Sequence, residues 1–338
     1  MQNVRTVIDL VDPTSYEDLT ASEVSAMLGI PIPTMRAWER RYGWPSPRRT
    51  GGGHRRYSGL EVSQLRALRD EIASGSPPPA AVDLLRQIEG RREERFVTPL
   101  LDASTDHDPS RIHSVLLELG REMDYERAVQ SVIIPALRGI GDRWQAGTCD
   151  VAGEHLLTAA ARRWISRGVH GPTASRGRVF LTTAPKEHHT VALEAFAVFL
   201  TRRGWDCVLP TPWGRDEHLL EAAKMCTPDM AVIVAHRNTS RVRAVQVLRG
   251  VKALGIDHIY YAGNGFASSR ARRSVPGRLL PPDLLAACDL IERDVATGKR
   301  AATAATAVDC APTSRHERQD ATPSRSGSGD GRRSRESP

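Results

Sequence analysis

At residues 185–192 the sequence reads Pro-Lys-Glu-His-His-Thr-Val-Ala, a polar segment between two apolar ones. A predicted strand, 178–183, precedes it, and a helical pattern begins near Thr190, so the segment is predicted to be a strand-to-helix loop. Such a loop at the carboxyl end of a parallel strand faces the crevice in which open α/β sheets bind ligands. There His189 can bind a metal through one ring nitrogen while Glu187 holds the other. The alternative is that these are ordinary solvated side chains.

The surrounding residues, 177–297, alternate short apolar strands with helices. The pattern predicts strands at 178–183, 206–210, 230–236 and 258–262, and helices at 190–203, 216–226, 240–254 and 282–296. This alternation predicts an α/β domain with a doubly wound parallel sheet, of the flavodoxin-like kind. Because such sheets serve many ligands, function must be argued from the site residues.

Residues 93–170 have helical periodicity and predict a four-helix bundle. Ile112, Val115, Leu116 and Leu119 form one apolar stripe, and a second stripe runs from 129 to 140. Pro135 lies inside the second stripe and should kink that helix or divide it. Trp144 falls in the turn before the last helix.

The N-terminal region, 19–88, has the pattern of a winged helix-turn-helix. Thr20 and Glu23 form a capping-box pair for one helix, and Thr34 is the expected cap of the next, 35–42. A basic stretch broken by prolines and glycines, 44–58, then predicts a two-stranded wing. Helices are also expected at 60–72, 80–88 and 93–101. The side chains expected to bind DNA are Thr34, Arg36, Arg40 and Arg41 of the helix, and Arg48, Arg49, His54, Arg55, Arg56 and Tyr57 of the wing.

Two segments here resemble a known family. The run Ala-Trp-Glu-Arg-Arg-Tyr-Gly at 37–43, followed by Gly-Gly-His-Arg-Arg-Tyr at 52–57, closely resembles the DNA-binding domain of MerR-type transcription regulators. The resemblance implies a recognition helix, 34–41, in the major groove, a dimer or higher oligomer, and an inverted-repeat operator in double-stranded DNA. Residues 1–148 contain no cysteine, which disfavours the metal-sensing members of that family.

The C-terminal half resembles cobalamin-binding domains. Glu187-x-His189-x-x-Ala192 is similar to their Asp/Glu-x-His-x-x-Gly loop, and Trp144 followed after nine residues by Glu154-His155 is similar to a signature of the cobalamin-dependent photoreceptor regulators. The resemblance implies that His189 binds cobalt as the lower axial ligand. It also implies that Trp144, Glu154 and His155 lie over the upper ligand, an adenosyl group, whose bond to cobalt light can break.

The cofactor's nucleotide tail would lie near Ala192, Val234, Gly263 and Gly265, where the sequence departs from the family pattern. Ala192 replaces a glycine, Val-Ala-His at 234–236 replaces Ser-x-Leu or Ser-x-Thr, and Ala-Gly-Asn-Gly at 262–265 replaces a Gly-Gly pair. Gln145 stands where the photoreceptors often have histidine. With these departures two alternatives stay open: the pocket binds a different tetrapyrrole, or it binds no ligand.

Composition sets the remaining expectations. The 338 residues carry a formal net charge of +7, and the five cysteines include no Cys-x-x-Cys pair. With no basic-then-apolar leader, a soluble cytoplasmic protein is expected. Residues 1–18 are expected to be an irregular lead, and 301–338, without large apolar residues, a disordered tail.

These observations lead to one hypothesis and two alternatives. The hypothesis is a MerR-type regulator, not an enzyme, that binds cobalamin and senses light. In the first alternative the altered pocket binds another ligand or a protein partner. In the second the chain is the corrinoid subunit of a methyltransferase, which the winged helix disfavours.

Overall fold

The computed structural model describes residues 19–49, 53–169, 175–185, 187, 189–210 and 216–309. The expected lead, 1–18, most of the expected tail, 310–338, and His188 lie outside the described residues. The chain divides into one compact unit, Met1–Thr297, and a second, Gly298–Pro338. No helix among the described residues is long and apolar enough to cross a membrane.

The N-terminal region folds as a small three-stranded sheet with helices. Its elements are β1 (Leu19–Thr20), α1 (Ala21–Leu28), α2 (Ile32–Tyr42), β2 (Arg48–Arg49), β3 (Arg55–Tyr57) and α3 (Gly59–Ala73). The strands pair antiparallel in the order β1-β3-β2. Thr20 and Glu23 form the predicted capping box at the start of α1.

The start of α2 was predicted incorrectly. The helix begins at Ile32, so Thr34 lies inside its first turn and is not the N-cap. Pro33 is tolerated there because the first N–H groups of a helix have no partner within the helix, so a missing one costs little. Trp38 packs against the apolar clusters of this domain.

A helical bundle follows. It comprises α4 (Pro78–Thr105), α5 (Pro109–Glu122), α6 (Tyr125–Ala128), a π-helical turn (Val129–Ile133), α7 (Ile134–Gln145) and α8 (Val151–Ser166). The break predicted between residues 88 and 93 is wrong, because α4 is continuous and Gly90 alone does not end it. The prediction for Pro135 is confirmed, since a π turn interrupts the helix just before it. A proline removes one backbone donor, and the wider turn accommodates that loss.

The C-terminal part is the predicted α/β domain. Its elements are β4 (Arg178–Thr183), α9 (Val191–Arg202), β5 (Asp206–Val208), α10 (Asp216–Cys226), β6 (Met230–Val234), α11 (Asn238–Ala253), β7 (His258–Ala262), a 3-10 turn (Asn264–Phe266), β8 (Arg278–Leu279) and α12 (Leu284–Asp309). The parallel sheet has the order β5-β4-β6-β7-β8, which is the doubly wound flavodoxin-like arrangement. The sequence analysis missed β8, which has only two residues.

Helix α12 continues further than predicted. It extends to Asp309, so residues 301–309 are helical and that part of the disorder prediction is wrong. The composition of 301–308 is rich in alanine, which favours helix even where no core forms.

The bundle packs on the sheet face that also carries α9 and α12. One continuous apolar cluster includes Trp164 of α8, Phe199 of α9 and Ile291 of α12. Tyr125 stacks on Trp164 at 5.2 Å between ring centroids, and its hydroxyl donates to the carbonyl of Ile165 at 2.6 Å. The bundle therefore has a fixed position on this face of the sheet.

Candidate functional site

The loop after β4 brings Glu187 and His189 together as the spacing predicts. Oε1 of Glu187 lies 2.6 Å from Nδ1 of His189. The carboxylate is buried at 1 % exposure, whereas the imidazole is 57 % exposed. Since Glu187 occupies Nδ1, the outward-facing nitrogen available to a ligand is Nε2.

The other oxygen of Glu187 binds the start of α11. Its Oε2 accepts hydrogen bonds from the hydroxyl of Ser240 at 2.9 Å and from the backbone N–H groups of His236 and Arg237, each at 3.3 Å. The positive end of the α11 dipole adds to these bonds. Burial opposes ionisation of Glu187, but the bonds from His189 and Ser240 outweigh it and lower its pKa to about 2.

His236 is the second imidazole at this edge of the sheet. Its ring centroid lies 6.1 Å from that of His189, with the rings tilted by 64°. Burial lowers the pKa of His236, and the nearby Glu187 only partly offsets this effect. A neutral imidazole therefore stands beside the exposed one.

The bundle residues Trp144, Glu154 and His155 lie on the solvent-facing side of α7 and α8. Trp144 is 48 % exposed, and the side chain of His155 is 74 % exposed and lies 3.5 Å from Glu154. Gln145 ends α7 and is also exposed. An exposed tryptophan at this position is not explained by packing within the bundle.

Arg162 connects this side of α8 to the His189 loop. It donates to Thr190 at 2.7 Å and to Glu194 at 3.1 Å, at the start of α9. His155 lies seven residues earlier, on the same face of α8 and about 10 Å along its axis. The structure thus aligns the face carrying His155 with the loop carrying His189.

The four predicted tail-pocket residues have packing roles. Val234 is 6 % exposed in the apolar core, and Ala192 packs against that core. A Cβ on Gly263 would lie 2.3 Å from the carbonyl oxygen of Ala235, and one on Gly265 would lie 2.9 Å from it. Backbone packing therefore requires both glycines, with or without a ligand.

The exposed arginines of α2 are suitably placed for contact with DNA. Arg36, Arg40 and Arg41 are all exposed, and Arg36 and Arg40 are one turn apart on the same face. Guanidinium groups on one face of a helix can reach both bases and phosphates in the major groove. Thr34 is half-buried near the start of the same helix.

Glu39 of α2 forms ion pairs with two wing arginines that were predicted to bind DNA. It accepts hydrogen bonds from Arg49 of β2 and Arg55 of β3. Burial opposes ionisation of Glu39, but these bonds outweigh it and lower its pKa. Arg49 and Arg55 thus fix the wing to the recognition helix.

One predicted DNA contact is wrong. Tyr57 is 1 % exposed and belongs to the domain core, so its side chain is not available to DNA. Arg48 and Arg56 are half-buried, and His54 is exposed.

Ser240 and Arg162 are the site residues that the sequence analysis missed. Ser240 lies 53 residues from Glu187 in the chain, so its role depends on the parallel pairing of β4 and β6. The only local signal was a small polar residue in the first turn of a predicted helix. Arg162 looked like an ordinary surface residue.

Comparisons with known families define the class of the chain. Residues 19–88 match the family described as MerR HTH family regulatory protein, and residues 97–167 match the family described as B12 binding domain. The chain therefore contains a MerR-type helix-turn-helix domain followed by a B12-binding domain.

Two curated relatives each match about half of this chain. The chain is homologous to the HTH-type transcriptional repressor CarH of Myxococcus xanthus, with 31 % identity over 195 residues, which is 53 % of this chain and 65 % of CarH. It is similarly related to the HTH-type transcriptional repressor CarA of the same organism, with 32 % identity over 54 % of this chain and 64 % of CarA. The matches thus span slightly less than two thirds of these relatives.

A solved structure supports the fold assignment. The monomethylamine corrinoid protein of Methanosarcina barkeri superposes with a TM-score of 0.51 over 60 % of this chain and 99 % of its own length. At 13 % sequence identity this likeness concerns the fold alone.

Proposed function

We propose that this chain is a transcriptional regulator that binds double-stranded DNA through its winged helix and cobalamin through its C-terminal half. It acts by binding, not by catalysis, and functions in the cytoplasm as a dimer or higher oligomer on an inverted-repeat operator. The cofactor is adenosylcobalamin, and the signal is light. The observation that carries the proposal is the Glu187–His189 pair beside the bundle, in a chain that also contains a MerR-type domain.

The residues present fit an axial ligand to cobalt. Nδ1 of His189 is engaged by a buried carboxylate, which fixes the ring and raises the basicity of Nε2. Nε2 of His189 would bind the metal. Glu187 would hold the imidazole, and Ser240 would hold Glu187.

The cap residues fit a group placed above the metal. Adenosylcobalamin supplies a weak cobalt–carbon bond that light can break. Trp144 and His155 would contact the adenosyl group, and Glu154 would accept hydrogen bonds from it. The exposure of Trp144 and His155 supports these roles, because both side chains keep a large free surface for a ligand.

A spectrum tests the cofactor assignment. Protein incubated with adenosylcobalamin in darkness should remain coloured after gel filtration. His189→Ala should shift the spectrum and reduce retention, because an axial ligand directly tunes the metal of a macrocycle. The adjacent His188→Ala is the control and should do neither. A wild-type protein that elutes colourless would contradict the cofactor assignment and favour a regulator with another ligand.

A further inference from the structure

One part of the α/β domain is densely basic. Residues 237–279 contain nine Lys and Arg residues and a single acid, Asp257, which gives a net charge of +8. Since the whole chain carries +7, the remaining residues sum to −1. The winged-helix residues 19–88 carry a net charge of +4, with ten arginines and six acids, so residues 237–279 are a second and denser basic region.

The charges of this segment form one surface, which we call the basic ridge. It comprises residues of α11 and of the loop between the 3-10 turn and β8, namely Arg237, Arg241, Arg249, Lys252, Arg270, Arg272 and Arg273. On α11, Arg241, Arg249 and Lys252 lie within about 80° of one another around the helix axis. Arg241 donates to the carbonyl of Ala271 at 3.2 Å, so the loop lies on that same side of α11.

Within the described part of the chain, no carboxylate forms a salt bridge with the ridge. Among the described residues, the basic side chain of this segment that pairs with an acid is Arg278, which binds Asp294 and is not part of the ridge. Arg237, Arg249, Lys252, Arg270 and Arg273 are exposed. Several like charges kept together on an ordered scaffold repel one another, so a polyanion would gain from binding here.

The scaffold under the ridge is rigid. Phe266 in the 3-10 turn is fully buried and packs on Tyr261 of β7, with ring centroids 4.8 Å apart. From Arg241 to Lys252 the helix extends about 17 Å, since each residue adds 1.5 Å. Phosphates of one DNA strand follow one another about every 3.4 Å of helix axis, so this length matches about five base pairs.

We propose that the basic ridge is a second DNA-contacting surface, which binds the phosphate backbone of duplex DNA beyond the part held by the winged helix. The inference rests on the proposed function, since it extends the DNA contact of the same regulator. Because its contacts are to phosphates, which carry no sequence information, the ridge contributes affinity and not sequence preference. Full-length protein thus contacts more phosphates than its winged helix alone.

The test uses full-length protein and a 40-base-pair duplex of arbitrary sequence. Affinity is measured by fluorescence anisotropy from 50 to 200 mM salt for wild type and for the triple variant Arg249→Gln, Arg270→Gln, Arg273→Gln. Each phosphate contact contributes about 0.9 to the slope of log affinity against log salt. For the triple variant, this slope should be shallower than for wild type by up to about 2.7. Between 50 and 200 mM salt, the affinity of the variant should therefore fall about 40-fold less than the affinity of wild type.

A matched control removes three exposed arginines from the bundle, in the variant Arg121→Gln, Arg163→Gln, Arg167→Gln. This control has the same net charge and should keep the wild-type slope. Equal slopes for the two triple variants would overturn the inference. Circular dichroism melting of all proteins separates a lost contact from a lost fold.

Two further outcomes separate this inference from the proposed function. If the double variant Arg36→Gln, Arg40→Gln binds DNA more weakly while the ridge variant binds as wild type does, the winged helix binds DNA and the ridge does not. If the ridge variant instead loses only its retention on immobilised polyglutamate, the ridge binds an acidic protein and the DNA assignment is wrong. A wild-type protein with no affinity for the duplex would overturn both proposals.

Discussion

Replacing Glu187 by Gln keeps the shape of the side chain that supports His189 but removes its charge. The pKa of Glu187 is about 2 in the folded protein against an ordinary 4.5, which corresponds to about 3 kcal/mol of stabilisation. Because the folded pKa is lowered, this stabilisation is present above pH 4.5 and is lost as the pH falls toward 2. We therefore expect Glu187→Gln to be less stable than wild type by about that amount at pH 7.

The same substitution should also change the tautomer of His189. The glutamine oxygen is expected to keep the bonds from Ser240 and the backbone of α11, which places its amide NH₂ against Nδ1 of His189. Nδ1 must then accept a hydrogen bond, and the ring proton moves to Nε2. A protonated Nε2 cannot bind cobalt, so cobalamin affinity should fall about 10- to 100-fold.

Two assays measure these effects, with Glu118→Gln as the control because Glu118 of α5 is exposed and its ion pair with Arg95 is long, at 3.9 Å. Urea unfolding followed by circular dichroism at pH 7 and pH 3 gives the stability difference, which should narrow at the lower pH. Spectrophotometric titration with cobalamin in darkness gives the affinity. If Glu187→Gln matches wild type in both assays at pH 7, the carboxylate neither stabilises the loop nor orients His189.

Three further substitutions test other parts of the structure. Gly263→Ala should lower the stability measured by thermal unfolding by about 2 kcal/mol. The added Cβ would lie 2.3 Å from the carbonyl oxygen of Ala235, and the backbone φ of residue 263 is +101°, which strains any residue with a side chain. An unchanged melting temperature would contradict this close packing. Trp144→Ala should lower stability by about 1 kcal/mol, less than the loss of about 3–5 kcal/mol for a core tryptophan, since the side chain is 48 % exposed. It should nevertheless remove any difference in DNA affinity between darkness and light, and a retained difference would show that the cap is not part of the switch. Glu39→Gln should weaken binding to every duplex, because one of the two oxygens that accept from Arg49 and Arg55 becomes an NH₂ donor and the wing is held less firmly. Wild-type affinity would remove Glu39 from the DNA-binding module.

The parts of the site that depend on local spacing could be predicted from the sequence. Glu187 and His189 are two residues apart in a loop, and that separation alone allows the carboxylate to reach Nδ1. The capping pair Thr20 and Glu23 was predictable for the same reason. The alternation of strands and helices predicted the doubly wound sheet, because parallel strands need helical crossovers.

The parts that depend on tertiary packing could not be predicted. Ser240 reaches Glu187 only because β4 and β6 are neighbours in the sheet. Tyr57 follows two wing arginines in a basic stretch, yet the alternation of side chains along β3 turns it into the core. Gly263 looked like a ligand-contacting glycine, but the constraint on it comes from the backbone of Ala235.

The coupling between the two halves of the chain is tested most directly with the wild-type protein and adenosylcobalamin. Molecular mass by light scattering and affinity for a duplex selected from a random-sequence library are measured in darkness and after green illumination. Both the mass and the affinity should differ, and a tenfold difference in affinity needs only about 1.4 kcal/mol of differential binding. Identical mass and affinity in the two conditions, with the cofactor bound and photolysed, would contradict it.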